Sequence, residues 1–189
     1  MENLDLARTA LVVIDLQKGI MESGDLQPYT ASEVVEKNNQ LAQTMKNTAG
    51  LITLVNVDPT TMRFLNRNGS DRGYGNLLAE FLEYVMPIVQ DGEAENVIKV
   101  TKHNHGAFFG TDLDLQLRRR GIDTVILTGV ATSNGVYATA LEAYQHGYKV
   151  IVVEDACADR DGELHHVFFD KLFVKLGQVA VTKEILEKM

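Results

Sequence analysis

Two ionisable residues stand where apolar runs stop. Asp15 closes the run TALVVID (9–15), and Lys102 follows NVIKVT (96–101). A carboxylate and an ammonium at the ends of otherwise apolar segments are partly desolvated unless they pair. Such a couple suits either a structural ion pair or a proton-transfer pair tuned by burial, and residue types alone leave both readings open. A third segment, Gly129-Val130-Ala131-Thr132-Ser133-Asn134-Gly135, leaves the run DTVILTGV (123–130) and offers backbone donors on small residues. Thr132 or Ser133 sits in it where a helix N-cap is expected. Asn56 and Asp58 end LITLVNVD (51–58), and Glu154-Asp155 end YKVIVVED (148–155). The single cysteine, Cys157, lies in DACAD and reads as a small buried apolar side chain rather than a displaced nucleophile.

The elements that must hold these residues can be read from hydrophobic pattern. Six short runs rich in Val, Ile and Leu, the five segments above and GQVAVT (177–182), alternate with segments of helical period. Runs apolar at nearly every position are buried on both faces, as in a parallel sheet covered by helices. Val34, Leu41, Ala42 and Met45 form one stripe over residues 31–49, with Thr30 and Glu33 in capping-box spacing and Gly50 beyond. Thr111 with Asp114 opens a further helix that Gly121 stops. Residues 132–146 carry two stripes, Val136/Ala140/Ala143 and Tyr137/Leu141/Tyr144, so this helix is expected between layers or in a subunit interface. Leu164, Phe168 and Leu172 mark the last clear case before Gly177. Strands alternating with helices predict an α/β, doubly wound fold with right-handed crossovers, in one domain over residues 1–189. Ligands then bind beyond the carboxyl ends of the strands, where the residues above stand.

Composition narrows the function classes. The 189 residues include 18 Lys plus Arg against 26 Asp plus Glu, a net charge of −8, which argues against nucleic acid as partner. No apolar run approaches the roughly 20 residues that span a bilayer, and the N-terminal MENLDLARTA has no apolar leader, so no membrane partner and a cytoplasmic place are expected. One cysteine supports neither a disulfide nor a thiolate zinc site. His103 and His105 form H-x-H beside Lys102, but the segment after Asp58, DPTTMRF, offers no histidine, and no metal is expected there. No G-x-G-x-x-G or P-loop pattern points to a nucleotide, so no cofactor is expected. Phe108 and Phe109 are candidates to line a ring-binding pocket or the core. In the polar loop 59–73, Arg63, Arg67 and Arg72 could hold a substrate carboxylate, and Arg72 is carried forward as a substrate-binding candidate.

Taken together, ALVVIDLQKGI, TKHNHGAFFGTDLDLQLRRRGIDTVILTGVATSNGVYATALEAYQHGYKVIVVEDACADRD and LGQVAVTKEIL resemble the isochorismatase-like, or cysteine hydrolase, superfamily over nearly the whole chain. The resemblance implies a three-layer, Rossmann-like fold with a six-stranded parallel sheet, homodimers or homotetramers, and hydrolysis of a small-molecule substrate. It puts the family's catalytic Asp at Asp15 and its Lys at Lys102. It also implies a cis peptide in the GVAT segment, with Val130, Ala131 and Asn134 at the substrate. The family's nucleophilic Cys falls at Gly135, so no thioester can form there.

The resemblance extends to a branch with Gly at that position, the isochorismatases proper, in which an Asp acts as general acid on a vinyl ether. Asp15, Lys102 and Gly135 fit that pattern. A free Asp is only roughly 0.1% protonated at neutral pH, so the role demands a raised pKa; burial would raise it and Lys102 would lower it. The expected function is non-covalent acid/base hydrolysis of a small carboxylated or cyclic metabolite, of vinyl-ether type. The alternatives are a thiol-less amidohydrolase and a catalytically silent binding protein.

Overall fold

The computed structural model describes residues 2–60, 62 and 79–189. Six strands, β1 (Thr9–Ile14), β2 (Leu51–Val57), β3 (Val97–Lys102), β4 (Thr124–Val130), β5 (Lys149–Ala158) and β6 (Gln178–Ala180), form one sheet in the order β3-β2-β1-β4-β5-β6. Every pairing is parallel. The order reverses direction between β1 and β4, which puts a crevice at the carboxyl ends of the central strands.

The continuous apolar runs are explained by two cores. Ala10, Val12 and Ile14 of β1 face one side, while Leu11 and Val13 face the other, because strand side chains alternate. The first side packs against α3 (Leu113–Arg119) and α4 (Tyr137–Gln145), the second against α2 (Ala31–Met45) and α6 (Thr182–Leu186). The capping box of Thr30 and Glu33 opens α2 as the spacing predicts, with Thr30 N–H donating to Glu33 Oε2 at 2.8 Å. The start of α3 falls later than expected: Asp112 is its N-cap, and the Thr111 hydroxyl accepts from Leu113 N–H instead. Of the two stripes expected on residues 132–146, Val136, Ala140 and Ala143 are buried, whereas Tyr144 is exposed. The last clear helix is split, α5 (Gly162–Val167) running into a π-turn, Phe168–Leu172.

The largest departure from the sequence pattern is in β5. Its register against β4 shifts between Leu127 and Gly129, so that Leu127 faces Val152 but Gly129 faces Cys157. The extra β5 residues bulge out of the ladder, and the strand ends at Ala158 rather than at Glu154-Asp155. Gly129 is required at the shift. Its φ is +108°, and a Cβ there would lie 2.0 Å from the Ile14 carbonyl oxygen. Among the described residues no helix is long and apolar enough to cross a membrane.

Candidate active site

Asp15 and Lys102 reach each other across two strand spacings, about 10 Å of sheet, because β3 lies beyond β2 from β1. Lys102 extends beneath the end of β2 and donates to Asp15 Oδ2 at 2.9 Å and to the His105 carbonyl at 2.5 Å. Its side chain is 1% exposed and that of Asp15 9%. Asp15 adopts φ +54°, a left-handed conformation that Asp tolerates better than most residues, and its N–H donates to Val55 O. That turn aims the carboxylate across the strand ends rather than along β1. Gln17 locks the next residues in place: its amide donates to Val57 O and Phe81 O and accepts from Val57 N–H.

The third component is the turn after β4. The Val130–Ala131 peptide is cis, and Thr132–Val136 form a π-turn that continues into α4. Gly135 sits directly over the ion pair: a Cβ there would lie 2.9 Å from Lys102 Nζ and 3.0 Å from Asp15 Oδ2. A side chain at 135 would displace the ammonium, so the pair occupies the space that glycine leaves. Behind the turn, the Thr132 hydroxyl is 2.8 Å from His165 Nδ1, and Asp159 accepts from Ser133 N–H at 2.7 Å. Neither Thr132 nor Ser133 is the cap expected of it; Ala131 holds the cap position, and the Thr132 hydroxyl is spent on His165. Asn134 and Val136 N–H groups donate to Ala131 O, so a substrate oxygen must take its backbone donors from other amides of the turn.

Burial dominates the electrostatics. Desolvation pushes the Asp15 carboxyl up to about 6, against the pull of Lys102 in the other direction. Its Oδ1 is buried and has no hydrogen-bond partner among the described residues. A carboxyl raised this far is roughly a tenth protonated at pH 7, against about 0.1% for a free Asp. It can therefore serve as an acid near neutrality or, ionised, as a base. His165 moves the opposite way, down to about 4, because burial disfavours the imidazolium and His166 adds to the effect.

The structure gathers Asp15, Lys102, Gly135, Val130, Ala131 and Asn134 around one cavity of about 240 Å³. Phe108 does not join them. It is buried in the core, stacked on His146 with ring centroids 5.1 Å apart, while Phe109 is 70% exposed. The chain between β3 and α3 points Phe108 into the helix layer, so the ring-binding expectation for it is corrected. Arg72, like Arg63 and Arg67, lies outside the described residues. Beside Asp58 stands His103, whose Nδ1 is 3.9 Å from Oδ2 and 3.1 Å from the Asp58 carbonyl. Cys157 is wholly buried opposite Gly129, and burial pushes its thiol up, away from the reactive thiolate.

Sequence reading missed Arg160, which lines the cavity wall. Its guanidinium donates to Gly24 O, Ile20 O and Ser23 Oγ, pinning residues 20–25 against the end of β5. The signal was hidden by the bulge, which moves the strand end from Glu154-Asp155 to Ala158, so that Asp159 and Arg160 stand just beyond it.

Comparison with known proteins gives a consistent result. The isochorismatase domain family matches residues 9–184. The isochorismatase family protein YwoC of Bacillus subtilis is 40% identical over 99% of this chain and 97% of its own length. Maleamate amidohydrolase of Pseudomonas putida is 31% identical over 96% and 87%. A solved isochorismatase family protein from Burkholderia thailandensis superposes with a TM-score of 0.88 at 34% identity, covering 100% of this chain and 98% of that one.

Proposed function

The chain belongs to the isochorismatase family of hydrolases, and from that premise we propose that it cleaves a small carboxylated vinyl ether by general acid catalysis. The observation that carries this is the Asp15 carboxyl, buried against Lys102 and raised to about 6, with glycine where a nucleophilic side chain would stand. Asp15 gives its proton to the terminal methylene carbon of the vinyl ether, turning that carbon into a methyl group and the ether carbon into an oxocarbenium ion. Water adds to that carbon and loses a proton to the Asp15 carboxylate. The hemiketal so formed collapses, releasing pyruvate and the ring alcohol. Lys102, next to the carboxylate that develops on Asp15, stabilises its charge and can engage a substrate carboxylate.

The likeness to maleamate amidohydrolase over most of both chains favours a second reading, hydrolysis of a small carboxylated amide. Asp15 would then be the base that draws a proton from the attacking water, with the turn at Val130–Gly135 facing the carbonyl oxygen.

One experiment separates the two. The purified protein is assayed on isochorismate and on a panel of small carboxylated amides, with Asp15→Asn as control, across pH 5–9. The acid role predicts pyruvate release whose kcat/KM falls about tenfold per pH unit above about 6, since the protonated form is lost there. Amide turnover that instead rises through about 6 to a plateau supports the second reading. Full activity of Asp15→Asn on either substrate overturns both.

A further inference from the structure

We propose that Glu154, His165 and His166 form a binding site for a divalent transition-metal ion such as Zn²⁺, behind the Val130–Gly135 turn. One ligating atom from each of the three residues lies within 4.8 Å of the others. The β5 bulge carries Glu154 out of the strand ladder to a half-exposed position, and α5 supplies the adjacent histidines, His165 buried and His166 exposed.

An independent observation singles out His165. Its Nδ1 meets the Thr132 hydroxyl at 2.8 Å, while its Nε2 is buried with no hydrogen-bond partner among the described residues. A buried ring nitrogen without a partner is uncommon and calls for one, a water or an ion. With Nδ1 protonated and donating to the Thr132 oxygen, the ring takes the arrangement of metal-binding histidines, in which the other nitrogen presents its lone pair.

The donor set selects the ion. Two imidazoles and one carboxylate suit a borderline cation and leave a fourth position for water. Metal–ligand bonds of about 2.0–2.2 Å bring ligand atoms closer than 4.8 Å, and any closing on the ion falls to the half-exposed Glu154 and the exposed His166 rather than to the buried His165. Neighbouring Asp155 is otherwise engaged, accepting from Thr182 N–H at 2.6 Å, and the only thiol, Cys157, is sealed in the core. Through His165 and Thr132 the ion would tie β5 and α5 to the turn that holds Gly135. The inference does not depend on which reaction the cavity performs.

The test titrates chelator-stripped protein with Zn²⁺ alone, in competition with a chromophoric chelator. One equivalent is expected to bind, with affinity falling at least about tenfold in His166→Ala and in Glu154→Gln, both at positions where the fold should tolerate them. His103→Ala, beside Asp58, should bind as the wild type does. Co²⁺ should give a visible spectrum of nitrogen and oxygen ligation without a thiolate charge-transfer band. A wild type that binds no tighter than Glu154→Gln/His166→Ala, or an equivalent lost in His103→Ala and kept in His166→Ala, overturns the site.

Discussion

At the amino ends of the strands, Arg8 donates to Asp123 through Nε and a terminal nitrogen, with side chains 56% and 31% exposed. At the carboxyl ends, Lys102 donates to Asp15 with both side chains almost wholly buried. The two pairs share their chemistry and differ in what surrounds them. Water screens the first, which lies in an open groove of about 1120 Å³, and its carboxylate is held below its ordinary range. Desolvation governs the second, and its carboxylate is raised into the range where proton transfer works. The proposed chemistry is thus assigned to the smaller cavity and not to the larger groove. Burial, rather than the presence of opposite charges or the size of a pocket, separates the proposed acid–cation couple from a surface one.

The comparison can be broken in graded steps. Asp15→Asn should lower kcat/KM by about 10²–10⁴, the usual worth of a positioned acid or base, measured on the substrate identified by the assay above. Lys102→Met leaves Asp15 buried without its counter-charge and should cost about 3–5 kcal/mol at pH 8, read from urea melts. That cost should shrink in acid. A carboxyl whose folded pKa is raised contributes its full stability below the unfolded value of about 4 and loses it as pH rises through about 6. Removing Lys102 removes a pull downward and moves that window further up. Gly135→Ala should cost up to about 2 kcal/mol, because crowding the ammonium outweighs the better helix propensity of alanine. Arg8→Met should leave both activity and melting temperature within the scatter of replicate measurements. A loss there equal to that of Lys102→Met would show that burial is not what distinguishes the two ends.

Much of this was legible from particular residues. Six apolar runs foretold six strands, and Thr30 with Glu33 foretold the start of α2. Asp15, Lys102 and the turn to Gly135 stood at strand ends, and in a parallel sheet those ends share one crevice. Phe108 was ambiguous because an aromatic in the loop before α3 can face the cavity or the helix layer with no change in pattern. Arg160 and the His165–Thr132 contact were hidden because both depend on the bulge in β5 or on residues far apart in the chain.

Composition and period thus determined the layers, the parallel sheet and the end at which ligands bind, since these follow from the alternation of strand and helix segments and from the near-continuous apolar runs of the central strands. Only the tertiary structure decided what the charged residues are. Whether Asp15 titrates near 4 or near 6 depends on how much water reaches it. Whether Gly135 is a gap or a seat for the ion pair depends on a distance of 2.9 Å across two strands. Desolvation and close approach are properties of the folded ensemble of neighbours, and no spacing within the chain encodes them directly.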